Sequence, residues 1–149
     1  MDATDRLLVD TNVLVYAVDP RDSAKQRRAA QLLDDLVAAD RVAISAQSLS
    51  EFFSVTTTRL PHRLTRAEAR ERVDDFASTF LVLGVSDLVV LEACRASADH
   101  GLSIWDALIW SCAKLNQVRF VLTEDAPHGR ALETVTYLNP FDARFALPV

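Results

Sequence analysis

The sequence is poor in the residues that punctuate or cross-link a chain. Its 149 residues include three glycines, five prolines and two cysteines. No stretch is rich in Gly, Ser or Pro and no segment repeats, so the sequence predicts neither a linker nor a repeat architecture. Half of the residues are hydrophobic, which is enough for a core in a chain of this length. We therefore expect one domain over residues 1–149.

The few cysteines and histidines lack the spacing of a metal or disulfide site. Cys94 and Cys112 stand in apolar segments without a CxxC pattern, so we expect two buried free thiols. None of the three histidines forms a helix-spaced pair. A zinc hydrolase is therefore not expected.

Long hydrophobic runs and a basic N-terminal segment are also absent. No window approaches about 18 uninterrupted apolar residues, so we expect no membrane span. The N-terminus, MDATDRLLVD, does not have the pattern of a signal peptide. These features predict a soluble, cytoplasmic protein.

The net charge of −5 argues against a protein that holds nucleic acid by bulk electrostatics, because phosphate binding normally needs a basic surface. Carboxylates that converge on divalent cations are the exception. The bound metal then reverses the sign of the site locally, although the formal charge of the chain stays negative.

Short apolar runs alternate with helical patterns along the chain. Strands are predicted over residues 6–10, 41–45, 81–85, 119–123 and 134–138, and helices over 23–39, 47–58, 65–80, 86–100 and 104–115. This alternation predicts an α/β fold, namely a three-layer α/β/α domain with a short, mostly parallel central sheet of four or five strands. Its functional site should lie outside the carboxyl ends of the strands.

Acidic residues follow two of these predicted strands. Asp10 ends the first strand, and Glu124 and Asp125 follow the strand over residues 119–123. Carboxyl ends of parallel strands are where α/β folds assemble sites. A turn or a helix cap is the alternative role for each acid.

Two further acids fall in predicted helices. Asp106 stands in Ile-Trp-Asp-Ala-Leu-Ile-Trp, a helix with almost no polar face. A buried, unpaired carboxylate is costly, so we expect Asp106 to be neutralised, capped or bound to a cation. Capping by Ser103, or by Asp106 itself, is the competing explanation. Glu51 lies beside an aromatic helix face and alone would be taken for a solvated residue.

Taken together, Asp10, Glu51, Asp106 and Asp125 can reach one edge of a parallel sheet from two strand ends and two helices. Hard oxygen ligands of this kind favour Mg²⁺ or Mn²⁺ over zinc. The four acids are therefore the candidate metal ligands.

Five strings carry a family resemblance. In their order and separations they resemble the PIN-domain proteins, and most closely the VapC-type toxins of type II toxin–antitoxin systems. The strings are LVDTNVLVYA, SLSEF, SIWDALIW, VLTEDAPHG and, after it, YLNPF. The resemblance covers residues 7–141. It implies a PIN-like fold and one metal site formed by Asp10, Glu51, Asp106 and Asp125. Adjacent Glu124 is the alternative for the fourth acid.

The resemblance implies an Mg²⁺- or Mn²⁺-dependent endoribonuclease that is the toxin of a toxin–antitoxin pair. Its substrate would be structured RNA such as tRNA or rRNA, hydrolysed by metal-activated water. We expect Asp10 and Asp106 to be direct ligands, and Glu51 and Asp125 to bind metal or orient water. Groups that could fix these carboxylates are Asn12, Thr123 and Glu124.

The same resemblance implies protein partners. These are a second copy in a homodimer and a cognate antitoxin that covers the acidic pocket, with a heterotetramer or larger assembly as the complex. Aromatic residues at 52, 53, 105 and 110 are expected to lie mostly in the core. An exposed dimer or partner surface is the alternative.

Arginines cluster in residues 59–72, beside the proposed site. We take Arg59, Arg63 and Arg66 as candidates for RNA contact. Local ion pairs with the acids of the same segment are the alternative. A second basic patch is formed by Arg21, Lys25, Arg27 and Arg28.

Two other functions compete with a nuclease. A non-catalytic PIN-like module would bind RNA or protein with the same fold. A phosphohydrolase with an aspartyl nucleophile would need Asp-x-Asp at the strand end, but the second position here is Asn12. This second alternative is the weaker one.

Overall fold

A computed structural model describes residues 5–149. Within them the elements follow in the order β1 (Leu7–Val9), α1 (Thr11–Tyr16), α2 (Ser23–Ala38), β2 (Val42–Ser45), α3 (Ala46–Thr58), α4 (Arg66–Thr79), β3 (Leu81–Leu83), α5 (Asp87–His100), α6 (Ile104–Leu115), β4 (Phe120–Leu122), β5 (Ala131–Leu132) and β6 (Val135–Leu138). Side-chain caps begin several helices as the sequence indicates. Thr65 accepts a hydrogen bond from the Glu68 N–H at 3.1 Å, and Gly101 ends α5 with φ at +71°.

The strands form one sheet in the order β3-β2-β1-β4-β6-β5. All neighbouring pairs are parallel except β5 and β6, which form an antiparallel hairpin. The α/β class and the mostly parallel sheet are confirmed. The sheet has one strand more than the four or five expected, because β5 is only two residues long and leaves no periodic pattern in the sequence.

Two hydrophobic cores lie on the two faces of the sheet. Leu8 contributes to the core under α5 and α6, whereas its neighbours Leu7 and Val9 contribute to the core under α1–α4. This alternation follows from the two-residue period of a strand. Both faces of the sheet are covered, which gives the predicted three layers and explains why the central strands β1 and β4 are apolar throughout.

The strand order creates a switch point between β1 and β4. The chain leaves β1 towards β2 and β3, then returns to place β4 on the other side of β1. The two strands are joined beyond their ends by a hydrogen bond from the Asp10 N–H to the Leu122 carbonyl at 2.9 Å. Ligand sites of open α/β sheets form at the carboxyl ends of such a strand pair. Asp10 and the segment after Leu122 occupy that position.

Three expectations about burial are wrong. Cys94 is exposed, although Cys112 is buried as expected, because the buried side of α5 consists of Val89, Ala93 and Ala96. Trp105 is 64% exposed, and Asp106 beside it is also exposed. Burial of α6 begins only at residue 107, so the first turn of that helix is not covered by packing.

The burial of the other aromatic residues is closer to the expectation. Trp110 and Phe52 are completely buried, and the Trp110 indole donates a hydrogen bond to the Leu132 carbonyl at 3.1 Å. Phe53 is half-buried. Among the helices between residues 5 and 149, none combines the length and apolar character needed to cross a membrane.

Candidate active site

Asp10 lies at the junction of β1 and α1, and each of its carboxylate oxygens accepts a hydrogen bond there. It is the N-cap of α1, and one carboxylate oxygen accepts the Thr11 N–H at 2.7 Å. The other oxygen accepts the Thr123 hydroxyl at 2.9 Å. The capping role predicted as an alternative is therefore correct, and it fixes the orientation of the carboxylate at the sheet edge.

Asn12 and Thr123 link the ends of β1 and β4. The Asn12 side-chain amide donates to the Thr123 hydroxyl at 2.9 Å and to the Asp125 carboxylate at 3.0 Å. The Asp125 N–H donates to the same hydroxyl at 3.1 Å. Because Thr123 is buried, this network holds Asp10 and Asp125 in a fixed relation.

Glu51 approaches the same strand end from α3. One of its carboxylate oxygens accepts the Thr11 hydroxyl at 2.8 Å, and the other accepts the Gln47 amide at 2.6 Å. Gln47 also reaches the Trp105 carbonyl at 3.4 Å, so it joins α3 to the start of α6. Gln47 has no role in the sequence prediction, because a glutamine near a helix start carries no motif.

Asp106 lies in the first turn of α6. Its N–H donates to the Ser103 hydroxyl at 3.1 Å, so Ser103 caps the helix. Its carboxylate accepts no hydrogen bond from residues 5–149. The expectation of a buried carboxylate is wrong, but an acid without a partner faces the site.

Three of the predicted acids share one cleft, which we call the acid cleft. It encloses about 180 Å³ and is lined by Asp10, Asp106 and Asp125 together with Gly101, Leu102, Ser103, Ile109, Val121, Thr123, Ala126, Arg130 and Tyr137. Glu51 lines an adjacent groove instead, on the α1 side of Asp10. The structure thus brings Asp10, Asp106 and Asp125 together, whereas Glu51 lies in the groove on the α1 side of Asp10.

Glu124 points away from the acid cleft. Its carboxylate pairs with Lys25 at 2.8 Å and accepts the Tyr16 hydroxyl. Both partners pack against Phe141 in the C-terminal segment. Of the two adjacent acids, Asp125 is therefore the one that lines the cleft.

The surroundings of Asp10 in the cleft disfavour its ionised form. The pKa of Asp10 is raised to about 6, mainly by burial and also by the charges of Asp125 and Glu51, while the hydrogen bonds from Thr123 and Thr11 oppose the increase. Burial also raises the pKa of the Tyr137 phenol to about 12. Asp10 is thus a carboxylate that lacks a compensating cation.

The donor set fits a hydrated divalent cation. All candidate ligands are carboxylate oxygens, which Mg²⁺ and Mn²⁺ prefer. Among residues 5–149, no three His, Cys, Asp or Glu side chains are grouped closely enough to hold one ion together. Mg²⁺ is nevertheless commonly held by one or two carboxylates and keeps several of its waters. Asp10, Asp106 and Asp125 can serve such an ion directly or through water.

The predicted basic residues lie outside the acid cleft. Arg59 lines the adjacent groove with Glu51, whereas Arg63 and Arg66 are exposed on the surface. In the second patch, Arg21 pairs with Asp19 and Lys25 pairs with Glu124. Within the described part of the chain, the cation that lines the acid cleft is Arg130, which sequence reasoning missed.

Comparison with known proteins identifies the family and the fold. The sequence model of the PIN domain matches residues 7–131. No curated protein matches the sequence. Among solved structures, the chain is similar to a toxin–antitoxin complex from Klebsiella pneumoniae, with 20% identity, 91% of this chain and 98% of that chain covered, and a TM-score of 0.68.

Two other solved structures have the same fold. VapBC2 from Rickettsia felis, bound to a promoter DNA fragment, has 17% identity, 89% and 97% coverage and a TM-score of 0.66. VapC20 from Mycobacterium tuberculosis, a toxin that cleaves the sarcin–ricin loop, has 17% identity, 77% and 86% coverage and a TM-score of 0.61. These identities establish the fold, and the family match extends over most of the sequence. The chain therefore belongs to the PIN-domain family.

Proposed function

We propose that this protein is an Mg²⁺- or Mn²⁺-dependent endoribonuclease and the toxin of a toxin–antitoxin pair. The observation that carries the proposal is the convergence of Asp10, Asp106 and Asp125 on one cleft at the sheet's switch point. Membership of the PIN-domain family supports it, as does the structural similarity to toxin–antitoxin proteins. One of those neighbours, VapC20, is a toxin that cleaves the sarcin–ricin loop.

Charge explains why a cation is part of the proposal. An RNA phosphate entering a cleft lined by three carboxylates meets only repulsion from them, and the chain as a whole has a net charge of −5. When bound, a divalent cation would neutralise this repulsion and supply Lewis-acid activation of water. Asp10 and Asp106 are the proposed direct ligands, and Asp125 completes the set.

The remaining polar residues position these acids. Thr123 donates to Asp10, and Asn12 donates to Asp125, so neither carboxylate is free to rotate away from the cleft. Thr11 and Gln47 hold Glu51, which we assign to metal binding or to the orientation of water. Attack by water on the phosphodiester predicts 5′-phosphate and 3′-hydroxyl ends.

The proposed substrate is structured RNA such as tRNA or rRNA. Arg59 lines the groove beside the cleft, so it is the best placed of the predicted arginines for contact with a strand that extends from the site. Arg63 and Arg66 remain candidates farther along the same segment. A PIN-like module that binds RNA without cutting it is the alternative, and turnover separates the two.

The proposed protein partners are a second copy of the chain and an antitoxin. Solved neighbours include complexes of toxin with antitoxin, which supports the second partner. Leu88 and Leu91 are 64% and 65% exposed and lie three residues apart on one face of α5. Large exposed apolar side chains on one helix face favour a protein contact, and we assign this face to the homodimer.

Substitution of the cleft acids tests the nuclease. We expect Asp10→Asn and Asp106→Asn to lower the rate of RNA cleavage in Mg²⁺ or Mn²⁺ by at least about 100-fold, because each removes a proposed metal ligand. EDTA should abolish cleavage by the wild type. Electrophoresis of total RNA incubated with antitoxin-free protein measures the effect, and Glu68→Gln, on the exposed face of α4, is the matched control. Cleavage that survives EDTA and both substitutions would contradict the proposal.

The raised pKa of Asp10 predicts that substitution of this residue stabilises the metal-free protein by an amount that depends on pH. In metal-free protein the folded state holds the Asp10 proton up to about pH 6, whereas the unfolded chain releases it near pH 4. Stability is therefore lost as the pH rises through this window. Asp10→Asn should raise the free energy of unfolding relative to the wild type by roughly 2–3 kcal/mol more at pH 8 than at pH 4.

Urea unfolding in EDTA at both pH values measures this difference. Asp74→Asn is the control, because Asp74 is exposed and pairs only weakly with Arg70, at 3.8 Å. An equal effect of Asp10→Asn at the two pH values would show that the site does not bury an uncompensated carboxylate.

Lysine substitutions on the exposed face of α5 test whether this face forms the homodimer. We expect the wild type to be a dimer by light scattering, and Leu88→Lys with Leu91→Lys to be a monomer, because two lysines cannot be buried in an apolar contact. Leu115→Lys, a residue 45% exposed on α6, serves as the control. A wild-type monomer, or a dimer that tolerates the double substitution, would refute the assignment.

A further inference from the structure

The hairpin of β5 and β6 presents two side chains to the acid cleft that no motif predicts. Ala131 pairs with Thr136 and Leu132 with Val135. Beyond β5 the pairing is interrupted by a bulge. The Tyr137 N–H donates to the Arg130 carbonyl at 2.8 Å and the Gly129 N–H donates to the Tyr137 carbonyl at 2.8 Å, while the Arg130 N–H donates to the Pro127 carbonyl at 3.1 Å. Gly129, with φ at +82°, and Arg130 therefore both oppose Tyr137, and Arg130 and Tyr137 both line the acid cleft.

Tyr137 is a largely buried residue whose hydroxyl oxygen retains some exposure. The residue is only 6% exposed, and its ring packs in the core under α5 and α6. Its hydroxyl oxygen is not among the fully buried side-chain atoms that lack a partner within residues 5–149. Because Tyr137 lines the acid cleft, its phenol can donate to a ligand that enters there.

Arg130 is a cation without a carboxylate partner within the described chain. It differs in this from Arg21, Arg95 and Arg144, each of which is paired with an acid at 2.9 Å or less. Its charge acts on the Tyr137 phenol, as do the charges of Asp106 and Asp10. Tyr137 therefore lies within the electrostatic influence of Arg130 and of two cleft acids, Asp106 and Asp10.

We propose that Arg130 and Tyr137 form a phosphate-binding subsite that holds the RNA backbone next to the acid cluster. The inference rests on the proposed function and deepens it. A phosphodiester offers only acceptor oxygens and carries a negative charge, which the cleft carboxylates repel. The guanidinium and the phenol supply donors, and the guanidinium also offsets the negative charge of the cleft.

Arg130 and Tyr137 are placed to contact RNA before hydrolysis begins. Arg130 is exposed, so an incoming strand can reach it without rearrangement of the hairpin. Tyr137 is buried, and its ring is held by the core. The subsite therefore contributes mainly to RNA binding, whereas Asp10 and Asp106 contribute to turnover.

Binding of RNA in EDTA measures the subsite without hydrolysis. The probe is fluorescently labelled unfractionated tRNA, titrated with the full chain at several salt concentrations. We expect Arg130→Gln to weaken binding about tenfold and to reduce the slope of log K against log salt by about 0.7–0.9, the effect of one lost phosphate contact. Tyr137→Phe should weaken binding by about threefold or more, with no change in slope, because it removes a neutral donor.

Two further variants control the experiment. Arg130→Lys keeps the charge and loses the planar fork, so it should restore the salt slope but only part of the affinity. Arg119→Gln removes an arginine that borders surface pockets elsewhere on the molecule, and it should change neither quantity. Circular dichroism establishes that each variant is folded.

The outcomes separate this inference from the proposed nuclease. Wild-type affinity and slope in both Arg130→Gln and Tyr137→Phe would overturn the subsite, whether or not the wild type cuts RNA. If the wild type binds tRNA but cuts no RNA, the nuclease proposal fails, and the slope still decides the subsite. Variants that bind RNA normally but no longer bind a co-expressed antitoxin would assign the pair to protein contact and overturn the inference.

Discussion

The Thr123 hydroxyl is the contact on which the candidate site depends. It donates to Asp10 and accepts hydrogen bonds from Asn12 and from the Asp125 N–H, so one buried atom joins the ends of β1 and β4. Those strands are neighbours only because the chain reverses its direction across the sheet at this point. The topology places the two strand ends together, and the hydroxyl converts this proximity into a fixed arrangement of two carboxylates.

This arrangement has an electrostatic consequence. Burial of Asp10 raises its pKa to about 6, and repulsion from the charges of Asp125 and Glu51 adds to the increase. A bound cation relieves the repulsion, and the same cation would attract a phosphate to an otherwise acidic protein. Arg130 and Tyr137 stand at the border of this cleft and offer donors where the acids offer none. Under the proposed function, the cleft would combine acceptors for a metal with donors for RNA.

The sequence predicted the parts of the molecule that local patterns encode. Apolar runs identified five strands, and capping residues such as Thr65 and Gly101 marked helix ends. Of the four predicted acids, the structure places Asp10, Asp106 and Asp125 in one cleft and Glu51 in the adjacent groove; their role as metal ligands stays a prediction. The exposure of Asp106 was not predicted, because helical periodicity does not show where packing against the sheet begins. Arg130 and Tyr137 were missed because their pairing depends on the register of a two-residue strand, which leaves no signal in the sequence.

If the cleft carboxylates hold a divalent cation, calorimetric titration with Mn²⁺ will detect it. We expect Mn²⁺ to bind the wild type, to fail to bind Asp10→Asn and to bind Asp125→Asn more weakly. Glu124→Gln should bind as the wild type does, because Glu124 is paired with Lys25 outside the acid cleft. Absence of binding to the wild type, or equal binding by wild type and Asp10→Asn, would show that these carboxylates do not form a metal site.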